Sequence, residues 1–265
     1  MLVAAAVCPC PPLLVPEVAA GAASELDALR RACADAIGVL AASRPERLVV
    51  IGPAERPSRG VFPPGAAGSF RAFGVDLDVT LGEAEAGAAD GAEAAADSGT
   101  EDGSGPGAET GAAGGAPAQA PPLPPSLAVA AWLLRGWKAA PVEGLGVGEQ
   151  LEPDRCAAAG RAVAGSAERV ALLVMGDGSA CRTVKAPGYL DERAESFDAE
   201  IARALGSADV GALAALDPEL ALELQAAGRA PWQVLAGAAE EAHLGGELLH
   251  ESAPYGVGYF VSSWT

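Results

Sequence analysis

The chain has 265 residues, half of them apolar, and carries 17 Lys and Arg against 35 Asp and Glu, for a formal net charge of -18. That length and apolar content suffice for a sizeable core, while a negative field of this size repels phosphate backbones and anionic lipid, which excludes nucleic acid and membrane surfaces as expected partners. No apolar run reaches the roughly eighteen residues of a membrane span, and five cysteines without framework spacing point to a reducing, cytoplasmic setting.

Leu2 to Cys8 is an apolar run. It reads as a first strand and not as a signal peptide, because no basic flank precedes it and Cys8-Pro9-Cys10-Pro11-Pro12 stands where a small-residue cleavage site would be. From Glu17 to Ala42, the residues Val18, Leu26, Leu29, Cys33, Ile37 and Leu40 recur at helical spacing. Arg47 to Gly52 is a second buried strand, with Pro53, Ala54 and Glu55 just past its end, so the chain opens as strand, helix, strand. Phe70 to Leu81 alternates, Phe73, Val75, Leu77 and Val79 on one face against Asp76 and Asp78 on the other, which predicts a half-buried strand nearer an edge. Residues 82–125 are then mostly Ala, Gly, Glu, Asp, Ser and Pro, with eight acids, no base and Leu123 as the one large aliphatic side chain. Burial there cannot repay the entropy of ordering, and the stretch is expected to be a disordered acidic insertion.

Beyond it, Ser126 is placed to cap a helix running to Trp137, with Val129, Trp132, Leu133 and Trp137 as its apolar stripe. A weak strand over 141–147 and an alanine-rich helix over 153–166 lead to Val170-Ala171-Leu172-Leu173-Val174-Met175, a run without polar alternation that reads as a strand buried on both faces. Gly176 and Gly178 let the chain turn sharply at its carboxyl end. In open α/β sheets ligands bind at that end, so Asp177, Ser179, Ala180 and Cys181 are expected to line a crevice. Helices follow at about 191–205, 210–216, 218–226 and 231–243, Asp217-Pro218 supplying an N-cap and an N1 proline. Strand-like runs over 247–251 and 256–264 close the chain. The expected fold is α/β: one domain over 1–265 with a mostly parallel central sheet flanked by helices, interrupted by the 82–125 insertion.

The chemistry-bearing residues are sparse. The two histidines, His243 and His250, would be roughly 10 Å apart on one helix, too far to share an ion, and Gly245-Gly246 intervenes. Cys8 and Cys10 alternate at the end of the first strand and are the weak candidates for holding a soft ion, but the second pair of a zinc motif is missing. Gly176-Asp177-Gly178-Ser179 is not a nucleophile elbow, and Gly144-Leu145-Gly146-Val147-Gly148 lacks dinucleotide spacing.

Four motifs, in order, resemble a known family: Pro9-Cys10-Pro11-Pro12-Leu13-Leu14, Gly176-Asp177-Gly178-Ser179-Ala180, Phe197-Asp198, and Ala253-Pro254-Tyr255-Gly256-Val257-Gly258-Tyr259-Phe260. The family is the class III extradiol ring-cleavage dioxygenases, a superfamily that also includes the Memo-like proteins. The resemblance implies non-haem Fe(II) held by two histidines and a carboxylate, with a further histidine in acid/base catalysis on a catechol. In this chain Cys10 stands at the first ligand histidine, Ala54 (with Glu55 the alternative) at the second, and Ala180 at the catalytic histidine, while Ala227 stands where Memo-like members carry a ligand cysteine. Alanine cannot coordinate. The expectation is therefore a degenerate, pseudoenzyme member that binds a small molecule or serves structure, without a cofactor, its pocket formed by Cys10, Ala54, Glu55, Asp177, Ser179, Ala180, Cys181 and Ala227. The alternative is an active Fe2+ or other metal-dependent oxygenase, or a metal-dependent hydrolase, with unorthodox ligands drawn from Cys8, Cys10, Cys181 and Glu55. A third expectation is an assembly module whose acidic arm recruits a basic partner.

Overall fold

The structure, a computed structural model describing residues 1–83 and 121–265, begins with strand β1 (Leu2–Cys8). A short helix α1 (Pro16–Ala19), a 3-10 segment over Ala20–Leu26 and helix α2 (Asp27–Ala42) follow. The continuous helix expected from Glu17 is thus broken at Ala20, whose φ of 48° is left-handed. The apolar spacing survives the break because Leu26, Leu29, Cys33 and Leu40 are all still buried. Next come β2 (Arg47–Pro53), the short β3 (Gly60–Phe62), and a separate hairpin of β4 (Ala66–Ser69) and β5 (Asp78–Leu81). The single strand predicted for Phe70–Leu81 is instead a 3-10 turn at Arg71–Phe73 followed by β5. Arg71 pairs with Asp76 at 2.8 Å and Asp78 at 2.6 Å, so the acids assigned to a solvent face shape a turn.

Leu123 is buried and donates its N–H to the Ala67 carbonyl at 2.9 Å. The last residues of the predicted insertion therefore belong to the folded body, and Pro125 already opens helix α3 (Pro125–Leu133). Residues 84–120, on which the expectation of an acidic disordered segment rests, lie outside the described residues. Ser126 does not cap α3. It sits within the first turn, and its hydroxyl donates to the Pro53 carbonyl at 2.7 Å. Residues 126 to 132 are buried all round, replacing the predicted single stripe, because α3 is held between the main sheet and the β4–β5 hairpin.

The remaining elements are β6 (Val142–Val147), α4 (Pro153–Ala164), β7 (Val170–Met175), α5 (Arg193–Gly206), α6 (Val210–Ala214), α7 (Pro218–Glu223), α8 (Arg229–Ala239), β8 (Gly246–Ser252) and β9 (Tyr259–Trp264). The Asp217 carboxylate accepts from the Glu219 and Leu220 N–H groups at the start of α7, the cap that Asp-Pro implies.

Seven strands form one sheet in the order β3-β6-β2-β7-β1-β9-β8, with β6, β2, β7 and β1 parallel and the outer strands antiparallel. β1 and β2 flank β7. The wholly aliphatic β7 accordingly has partners on both edges and helices on both faces, which is why its sequence shows no alternation. Successive residues of β1 serve opposite cores: Ala6 and Cys8 face the α2 and α3 side, Ala5 and Val7 the side of α4, α5 and α8. Each large aliphatic side chain buried in this way contributes about 1.5–3 kcal/mol. The chain is thus a single α/β domain, and among the described residues no helix is long and apolar enough to cross a membrane.

Candidate functional site

The three inner strands β1, β7 and β2 end side by side. Each end carries glycine or proline, so the backbone leaves the sheet at once and places the next side chains over its carboxyl edge. Gly176 donates its N–H to the Cys8 carbonyl at 3.0 Å, extending the β1–β7 ladder one residue past the end of β7. A Cβ on Gly176 would lie 2.5 Å from the Gly228 Cα, so no other residue fits this approach of the α8 entry. With the backbone fixed there, Asp177 reaches Cys10 across 167 residues: its Oδ1 accepts the Cys10 N–H at 2.8 Å, and its Oδ2 lies 3.8 Å from the Cys10 thiol, which donates to it.

Beside this pair opens a cleft of about 580 Å³, lined by Cys10, Ala54, Glu55, Arg59, Ser126 and Glu149 together with several prolines. Its walls depend on absent side chains. A Cβ on Gly52 would meet the Ser126 hydroxyl at 2.7 Å, one on Gly146 would meet the Ala54 Cβ at 2.9 Å, and one on Gly148 would meet the Arg59 Cζ at 2.5 Å. Gly146 and Gly148 therefore make room for the Ala54–Arg59 segment. Arg59 Nε donates to the Ala54 carbonyl at 3.3 Å, holding the guanidinium along the cleft wall.

Burial raises the Asp177 carboxyl to about 6, although the Cys10 N–H and thiol pull the other way. Burial, then the neighbouring Asp177, pushes the Cys10 thiol well above the ordinary range, so it is a thiol and not a nucleophilic thiolate. Burial also raises the Tyr259 phenol, with Asp177 and Cys10 adding to the effect. Asp177 thus exchanges its proton near pH 6, beside a Cys10 thiol that stays protonated.

The predicted site residues separate into two groups. Cys10, Ala54 and Glu55 line the cleft, and Asp177 joins them through Cys10. Ser179, Ala180, Cys181 and Ala227 do not line it, so the four positions Cys10, Ala54, Ala180 and Ala227 do not share one cavity. The reason is a long-range pairing: Gly178 donates to the Gly258 carbonyl and Gly258 to the Ser179 carbonyl, which carries the chain inward beneath the loop before β9. Ser179 is 0% exposed, and both its N–H and its hydroxyl donate to Asp198 at 2.8 Å, where Arg182 adds a contact at 3.1 Å. Burial still leaves the Asp198 carboxyl above its usual value, against the pull of those donors. Ala180 donates its N–H to the Leu224 carbonyl, and the Cys181 thiol donates to the Gly188 and Leu224 carbonyls. Ala227 precedes Gly228, whose N–H donates to the Asp177 carbonyl. Cys8 is fully buried against Cys33, not in the cleft. Sequence reasoning missed Arg59, Ser126 and Glu149. The glycine alternation was the signal for the first.

The donor set does not fit the iron centre that the resemblance implies. Cys10 and Asp177 offer one sulfur and one carboxylate, Ala54 and Ala227 offer nothing, and the two histidines stand elsewhere, His250 on β8 bonded to Ser252 and His243 beyond α8. Among the described residues no group of three His, Cys, Asp or Glu side chains is arranged to hold a metal ion. A facial triad needs three such donors.

No protein-family model matches the chain, and no curated protein matches it. Among solved structures it is similar to the crystal structure of the uncharacterized protein JW3007 from Escherichia coli K12, with a TM-score of 0.54 and 18% sequence identity over 99% of each chain. Similarity at that identity and over both whole chains establishes a shared α/β fold, and the chemistry has to be argued from the cleft itself.

Proposed function

We propose that this chain is a catalytically degenerate protein of the class III extradiol dioxygenase type, which binds a small molecule in the cleft at the carboxyl edge of its sheet without a resident metal. The observation that carries the proposal is that Cys10, bonded to Asp177, and Ala54 line one cleft at the positions where the resemblance places imidazoles. Asp177 would orient a ligand through hydrogen bonding and Glu55 would supply charge at the rim. Five free, buried cysteines support a reducing, cytoplasmic setting.

The test is anaerobic reconstitution of untagged protein with Fe(II), followed by metal analysis and a catechol assay. Iron well below one per chain and no ring cleavage are expected. A Cys10→His, Ala54→His double variant should then gain ferrous affinity, because it returns imidazoles next to Asp177. Stoichiometric iron in the unmodified protein, with catechol cleavage abolished by Asp177→Ala, would overturn the proposal in favour of an active oxygenase with unorthodox ligands.

A further inference from the structure

Among the described residues seven large apolar side chains are exposed, and four of them, Val184, Tyr189, Leu190 and Leu222, belong to the 181–190 loop or to α7. The two segments are packed together. The Ala180 N–H and the Cys181 thiol both donate to the Leu224 carbonyl, and a Cβ on Gly188 would lie 3.1 Å from the Gln225 Cδ. Apolar side chains gathered in one place, and not scattered singly, mark a contact surface.

A projection and a hollow stand side by side on this surface. Tyr189 is 66% exposed at a φ of 64°, a left-handed value that is rare for a bulky side chain. The Gly188, Tyr189 and Asp191 N–H groups donate to the Ala180, Ala186 and Cys181 carbonyls, so the ring projects from a fixed backbone and loses little freedom on docking. The hollow is a cavity of about 290 Å³ lined by Pro218, Ala221 and Leu222 of α7, by Gln225 just beyond it, and by Glu149 and Arg229. Arg229 is held by the Leu151 and Glu149 carbonyls. Gln225 is the shared wall, close to Gly188 and lining the hollow. A space of about 150 Å³ already holds a benzene ring, so this one admits a phenol, with Glu149 and Gln225 as acceptors for its hydroxyl. We propose that the chain pairs with a second copy of itself about a two-fold axis, Tyr189 of each chain entering the hollow beside Leu222 of the partner subunit. An isologous contact needs a self-complementary surface, which an adjacent projection and hollow supply. The charges agree: Lys185, one of two lysines in the chain, is on the loop with the projection, and the exposed Glu219 is one turn before Leu222 on α7, so the exchange opposes unlike charges.

The experiment is sedimentation equilibrium of the full chain in reducing buffer with about 200 mM NaCl, which screens the repulsion between two chains of net charge -18. Over about 5 µM to about 500 µM, the range in which a small interface dissociates, the average mass should climb toward twice the 26.2 kDa of one chain. Tyr189→Asn removes the ring and suits the left-handed backbone, so it should weaken association about tenfold or more without lowering the unfolding midpoint. Position is tested by disulfide trapping. After mild oxidation, Tyr189→Cys chains mixed with Leu222→Cys chains should form more covalent dimer than either variant alone, the five natural cysteines being buried. A chain that stays monomeric throughout overturns the proposal. So does association unchanged by Tyr189→Asn, or a trapping yield in the mixture no higher than in the separate variants.

Discussion

Asp177 keeps its proton to a pH at which a solvated aspartate has lost it. Its carboxyl rises from 3.8 to about 6 because burial outweighs the donors at Cys10. A raised carboxyl means that the native state binds the proton more tightly than the unfolded chain, so the stabilising contribution is full below about pH 4 and is lost as the pH rises through about 6. Asparagine keeps the Oδ1 that accepts from Cys10 and cannot ionise. We expect Asp177→Asn to be close to neutral at about pH 4 and to stabilise the protein by about 2 kcal/mol at pH 8, measured by urea unfolding at the two pH values. A variant less stable than the parent at pH 8 would mean that the carboxylate is held ionised by a partner. Asp177 was legible in the sequence as a residue at a strand end. Its partnership with Cys10 was not, because nothing local links two positions 167 residues apart.

The helices show why spacing alone fails at close contacts. α4 and α8 cross where each presents glycine: a Cβ on Gly160 would overlap the Val234 carbonyl and lie 2.6 Å from the Ala238 N, and one on Gly237 would overlap the Ala157 backbone. By helix propensity Gly→Ala should gain about 1 kcal/mol, but forcing two backbones apart costs about 1–3 kcal/mol or more. Gly237→Ala is therefore expected to destabilise by about 1–2 kcal/mol net. Gly38 in α2 is the control, since nothing lies within 4 Å of its added Cβ. There Gly38→Ala should stabilise by about 0.5–1 kcal/mol in the same denaturant titration. Equal effects at the two positions would refute close helix contact as the cause. The same blindness affected α3, read as a one-sided amphipathic helix but buried on every side, because the hairpin that covers its outer face is not written in its own residues.

At the scale of the whole molecule, a net charge of -18 loads the folded state with self-repulsion that added salt screens. Raising NaCl from about 20 mM to about 300 mM should lift the unfolding midpoint by a few degrees, read by circular dichroism. A fall would show that the surface ion pairs around Arg71, Arg193 and Arg203 outweigh the repulsion. The α/β class and the strands β1, β2 and β7 were decided by the sequence alone, because burial on both faces demands uninterrupted aliphatic runs and the glycines that end them mark the sheet edge. Tertiary structure alone decided that β7 lies between β1 and β2, that Ser179 turns inward to Asp198 while Cys10 faces the cleft, and that Arg229 is buried against the Glu149 and Leu151 carbonyls. Those outcomes depend on contacts between segments far apart along the chain, and no local pattern of residues encodes which distant group arrives.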